Sequence, residues 1–188
     1  MRLYLIRHTT PAIAPGVCYG QADVDVAATF FDELQAVRSK ISDLAPVATY
    51  SSPLSRASKL ASGLQLGEPA HDARLMELDF GDWELRAWEE IPRAHLDQWG
   101  HAYTDIAPPG GETFTELHRR ATACLQDLKC RHSGQDVVVV THAGVIRAML
   151  ADVLNLPLIE VFRFHLDYGS VTQLNLGDTV AAVGYVNR

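Results

Sequence analysis

Arg7-His8 and Thr141-His142 each close a short apolar run, and Arg56 opens a helical stretch that follows a third such run. Two arginines and two histidines are the side chains a phosphoryl group calls for. Arginine presents a planar fork of donors matched to phosphate oxygens. Each such charge-assisted hydrogen bond contributes about 1.5–3 kcal/mol. A neutral imidazole nitrogen can attack phosphorus, giving a phosphohistidine that water then hydrolyses. Phosphoryl transfer is catalysed chiefly by positioning and charge stabilisation. The leaving oxygen still needs a proton. Glu77 is the candidate donor, in the stretch Leu75 to Glu84 that is rich in carboxylates and aromatics. Nearby rings would desolvate it and raise its pKa toward a general-acid value. Asp79, Asp82 and Glu84 are rival carboxylates.

For these groups to meet, particular elements must carry them. Leu3 to Ile6 reads as a buried strand ending at Arg7-His8, and the four valines of Asp136 to Val140 read as another ending at Thr141-His142. If both are parallel and central, the two imidazoles share one sheet edge, where ligands bind in open α/β sheets. Val47 to Tyr50 is a third strand. Ser51-Ser52-Pro53 then turns into a helix, Leu54 to Leu66, whose first turn holds Arg56 on that same edge. The helix N-termini after these strands would add positive partial charge.

The other elements follow from spacing. Ala27 to Leu44 and Ala143 to Leu154 read as helices, and Thr113 with Glu116 forms a capping box for a helix reaching about Arg131. Ala73 to Phe80 fits either strand or loop, and Leu85 to Trp99 fits one or two short helices broken at Pro92. Val171 to Leu176 and Val180 to Val186 are strands joined by a Gly177-Asp178 turn, hence antiparallel. The sum is an α/β fold: a three-layer α/β/α sandwich with a mostly parallel central sheet and an antiparallel C-terminal edge.

Composition bounds the possibilities. The 188 residues, 47% of them hydrophobic, suffice for one sizeable core, so residues 1–188 are expected to form a single domain. A formal net charge of -7 argues against general affinity for nucleic acid or anionic membrane. Cys18, Cys124 and Cys130 are odd in number and form no CxxC pair, so reduced thiols in a cytoplasm fit best. Cys124 and Cys130 fall in a helical pattern and are expected to pack. No run of the sequence approaches a transmembrane span or a signal-peptide core. The histidines beyond His8 and His142 show no metal-ligand spacing, so neither metal nor cofactor is expected.

Five segments in order resemble the histidine phosphatase superfamily, which includes the cofactor-dependent phosphoglycerate mutases. They are Leu-Ile-Arg7-His8, Ser51-Ser52-Pro53-Leu54-Ser55-Arg56-Ala57, Leu75 to Gly81, Pro109 to Thr113, and Val-Val-Thr141-His142-Ala-Gly144. The resemblance implies a phosphoglycerate mutase-like fold with His8 as the phosphorylated nucleophile. It implies that Arg7, Arg56 and His142 hold the phosphoryl oxygens and that Glu77 is the proton donor and later the base for water. It extends to substrate contacts at Thr9, Gly20, Gln21 and Ala143. Thr9 stands where the family usually has Gly, and Thr10 and Pro11 replace the residues usual after it; these departures bear on mutase more than on phosphatase activity. Pro15 to Val24 and Phe80 to Glu84 look like the branch of α-ribazole phosphatases. That resemblance implies hydrolysis of α-ribazole 5′-phosphate in assembly of the cobalamin nucleotide loop. Tyr19 and Trp83 are candidates to stack on the base. The alternatives are a broad-specificity phosphatase, a phosphoglycerate mutase-type phosphotransferase and a non-catalytic phospho-ligand binder. The partner expected is a small phosphorylated metabolite. Arg119 and Arg120 are expected to be solvated, and the oligomeric state is left open.

Overall fold

The computed structural model describes residues 1–177 and 179–188. Its elements run in the order β1 (Arg2–Arg7), α1 (Phe30–Lys40), β2 (Ala48–Ser51), α2 (Ser55–Leu64), β3 (Ala70–His71), α3 (Arg93–Ala102), α4 (Phe114–Arg131), β4 (Asp136–Thr141), α5 (Ala143–Leu154), β5 (Val171–Leu176) and β6 (Ala181–Tyr185). Six strands form one sheet in the order β3-β2-β4-β1-β5-β6. The first four in that order are mutually parallel, and β5 and β6 run antiparallel at the other side. Asp178, in the turn expected between the last two strands, lies outside the described residues; Gly177 N–H donates to the Val180 carbonyl there at 3.0 Å.

The valine run of β4 is continuous because both faces of the sheet are covered. Val137 and Val139 pack with α4 and α5, while Val138 and Val140 pack with α1 and α2. β1 divides the same way, with Leu3 and Leu5 on the first face and Tyr4 and Ile6 on the second. This is the expected three-layer sandwich.

Several boundaries differ from expectation. Helix α1 stops at Lys40 because Ile41 leaves the helical region, at φ -122° and ψ 16°. Of the two readings of Ala73 to Phe80 the structure takes the loop, opened by one tight turn. A 3₁₀ turn covers Ala73–Leu75, and irregular backbone follows. β3 has only two residues, too short for any periodicity to reveal. Cys130 is exposed rather than packed, whereas Cys124 is buried as expected. Trp83 is buried in a satellite cluster with Cys18 and Ile91, against which Trp88 and Trp99 pack; it is therefore unavailable to stack on a ligand.

Candidate active site

The register of the sheet places the candidate residues. Arg7 of β1 lies directly opposite Thr141 of β4, and the two strands run parallel. The next residue in each chain segment is therefore a histidine at the same edge. His8 N–H donates to the Thr141 carbonyl at 2.9 Å, and the two imidazole centroids are 5.0 Å apart. Arg56, in the first turn of α2, is fully buried beside them.

His8 is oriented by its own chain. Nδ1 lies 2.7 Å from the Thr9 carbonyl, which can only accept, so Nδ1 carries the proton and Nε2 the lone pair. Burial, with Arg56 and Arg7 alongside, pushes this imidazole well below its ordinary pKa. The ring is thus neutral near pH 7, as a nucleophile must be. His142 is likewise held neutral, by burial first and then by His8 and Arg56. Its Nε2 lies 2.8 Å from the Ser52 hydroxyl.

Both arginines are anchored by backbone carbonyls and thereby aimed. Arg56 donates to the carbonyls of Ala22 at 3.0 Å and Gly20 at 2.5 Å. Arg7 donates to Leu166 at 2.5 Å, and its guanidinium lies 3.9 Å from the Tyr168 ring centre. Tyr168 and Tyr19 join through their hydroxyls at 2.7 Å, forming a wall beside His8. Among the described residues, few buried polar side-chain atoms lack a hydrogen-bond partner. They include Nε of Arg7, Nε of Arg56, Nδ1 of His142 and Oγ1 of Thr9. Leaving a buried donor unpaired costs about 1–3 kcal/mol. Such a concentration at one sheet edge marks a site shaped for an anion with many acceptors.

Glu77 reaches the same place from the irregular segment. Its carboxylate accepts from Gly144 N–H at 3.1 and 3.2 Å and from Leu78 N–H at 2.9 Å. The Gly144 amide, in the first turn of α5, orients it, and a Cβ on Gly144 would collide with it. The N-termini of α2 and α5 each give one amide to a carboxylate of the chain itself. Glu77 takes that of α5, and Asp23 takes that of α2, accepting from Ser55 N–H at 2.7 Å. Ala143 and Gly144, at the α5 N-terminus, nonetheless line a cleft beside Arg7.

Of the expected substrate contacts, Ala143 lines a 190 Å³ cleft together with Arg7, Tyr19 and Glu77. Gly20 and Gln21 instead engage the protein: Gly20 through Arg56, and Gln21 by donating to the Glu77 carbonyl at 3.2 Å and to Glu84 at 2.8 Å. Gly20 is required because a Cβ would strike the Leu78 carbonyl. Thr9 contributes its carbonyl to His8, while its own hydroxyl is buried. A second groove, of 500 Å³, lies between Val26–Phe31 and α2 and contains none of these groups.

Three residues important to this arrangement escaped the sequence reading. Arg120 is no solvated charge: its guanidinium holds the carbonyls of Arg74, Met76 and Glu77 at 2.5–2.9 Å and pairs with Glu112. Tyr168 comes from a C-terminal segment that offers only strand pattern. Arg147 lines the cleft one turn and a half beyond His142, pinned to the Phe164 carbonyl at 3.0 and 3.2 Å, with its guanidinium over Phe162. The spacing of Arg147 from His142 on α5 was a signal that could have found it.

The pattern of the histidine phosphatase superfamily (branch 1) matches residues 3–188. The chain belongs to that superfamily. It is 25% identical, over 100% of its own length and 96% of the relative's, to an adenosylcobalamin/alpha-ribazole phosphatase of Escherichia coli (strain K12). It is 27% identical to phosphoserine phosphatase 1 of Hydrogenobacter thermophilus, over 94% of this chain and 87% of the relative. In fold it is similar to the alpha-ribazole phosphatase from Shigella flexneri, at a TM-score of 0.91 and 24% identity, covering 100% of this chain and 96% of that one. Among the described residues no helix is long and apolar enough to cross a membrane.

Proposed function

We propose that this protein is a phosphomonoesterase that works through a phosphohistidine at His8, with α-ribazole 5′-phosphate as its substrate. The observation that carries the reading is a neutral His8, its Nδ1–H held by the Thr9 carbonyl, among half-buried Arg7 and fully buried Arg56 and His142. Nε2 of His8 attacks phosphorus while the ester P–O bond breaks, and the leaving oxygen takes a proton from Glu77. Arg7, Arg56 and His142 stabilise the charge on the phosphoryl oxygens. Glu77, now a carboxylate, takes a proton from water as that water attacks phosphorus. The P–N bond then breaks, its electron pair returns to Nε2, and phosphate leaves. The rings of Tyr19, Phe80, Trp88 and Phe162 along the cleft suit a flat heteroaromatic leaving group. The ribazole phosphatase relative supports the same choice.

A second substrate reading has its own observation. Arg147 adds a cation to the cleft beyond those around His8, and 190 Å³ is below the roughly 300–1,000 Å³ usual for ligand sites. Both favour a small ester whose leaving group bears a carboxylate, such as phosphoserine. A phosphatase panel with EDTA present, comparing kcat/KM for α-ribazole 5′-phosphate, phosphoserine and 3-phosphoglycerate, decides between them. His8→Ala should reduce phosphate release by at least about a thousandfold. Release unaffected by that change would overturn the mechanism.

A further inference from the structure

Ser52 is fully buried at the end of β2, next to the strand that carries His142. Its hydroxyl oxygen accepts from Leu54 N–H at 3.3 Å and lies 2.8 Å from Nε2 of His142. A serine hydroxyl has one proton to give. The acceptor within reach of that proton is Nε2. If Nε2 accepts, the neutral ring must carry its proton on Nδ1, the buried nitrogen that has no protein partner. The alternative tautomer would present a bare lone pair to the phosphoryl oxygens, a repulsive contact where a donor is needed.

We propose that Ser52 is a positioning residue that donates its hydroxyl proton to Nε2 of His142 and so locks this ring as the Nδ1–H tautomer, which gives its one N–H to the phosphoryl group. This rests on the reading that His142 contacts that group. The backbone performs the same service for His8 in mirror fashion, since the Thr9 carbonyl fixes Nδ1–H there and leaves Nε2 as the nucleophile. The two neighbouring imidazoles thus hold opposite tasks, lone pair and donor, set by one carbonyl and one hydroxyl. Burial keeps His142 neutral, so the lock acts on a single proton across the working pH range.

The test is ¹⁵N NMR of histidine-labelled protein without substrate, with His142 assigned through His142→Gln. The wild type is expected to show the Nδ1–H pattern for His142, and Ser52→Ala to show the Nε2–H pattern or a mixture. kcat for p-nitrophenyl phosphate is expected to fall at least tenfold in Ser52→Ala with KM within threefold. An Nε2–H pattern in the wild type overturns the proposal, and so does an unchanged tautomer with unchanged kcat in Ser52→Ala. The spectrum of the free wild-type protein needs no activity, and its reading does not depend on Ser52→Ala folding. A failure of the phosphatase reading would appear separately, as wild-type protein that hydrolyses no ester.

Discussion

In the proposed mechanism Glu77 gives a proton to the leaving oxygen, so its importance should scale with how badly that oxygen needs one. Glu77→Gln keeps the hydrogen-bonding shape but has no proton to transfer. It is expected to lower kcat by about 10²–10⁴-fold on an alkyl phosphate. On p-nitrophenyl phosphate, whose leaving group departs without protonation, the loss should shrink to less than about tenfold. Parallel kcat measurements on the two esters check this, and equal losses would assign Glu77 a purely electrostatic role. The thiols offer no rival nucleophile in the interior. Burial pushes both Cys18 and Cys124 up to about 12, so neither forms a thiolate near neutral pH.

At the scale of elements, the irregular segment from Arg74 to Glu77 is the part of the site with no strand or helix to hold it. Arg120, on α4, supplies the missing support by gripping three carbonyls of that segment, those of Arg74, Met76 and Glu77, and the Glu112 carboxylate. Arg120→Met should therefore release Glu77 from its place above the α5 N-terminus. Displacements of about 1 Å at a reacting group cost up to about 10²-fold, so a 10- to 100-fold fall in kcat is expected. Hydrogen bonds to a charged group contribute about 1.5–3 kcal/mol each, and a loss of stability of at least that size should accompany it. Urea unfolding and steady-state kinetics on the same variant measure both. A variant that loses stability but keeps kcat would show that α4 supports the fold and not the site.

For the whole molecule, two fully buried neutral histidines tie stability to pH. Both folded-state pKa values lie below the unfolded value of about 6.5. Above that pH neither state is protonated at these rings, and their contribution to stability is complete. As pH falls below about 6.5 the unfolded chain takes up protons that the folded protein refuses. Stability should then drop by up to about 1.4 kcal/mol per pH unit for each ring, until the folded pKa values are reached. Urea midpoints at pH 7 and pH 5 test this, and His142→Gln should flatten the slope by one histidine's share. A slope unchanged in that variant would mean that the acid sensitivity arises elsewhere.

The sequence by itself determined the layered fold and the convergence at its edge. Valine runs covered on both faces can only be central strands, and a parallel register carries the residues after β1 and β4 to one end. Arg7, His8, Arg56 and His142 were legible for that reason: each sits a fixed step beyond a regular element. The parts that tertiary structure alone decided lie where periodicity is absent. Asp23 and Glu77 each take one amide of a helix N-terminus, because irregular loops deliver them there. Arg120 looks like a surface charge on a helix until the 74–77 segment is laid across it. Trp83 and Trp88 are near neighbours in an aromatic stretch, and only packing sends Trp83 into the interior and Trp88 to the cleft. Local spacing fixes what a helix or strand presents, but which long side chain meets which loop depends on contacts between residues far apart in the chain, and no short-range pattern encodes those.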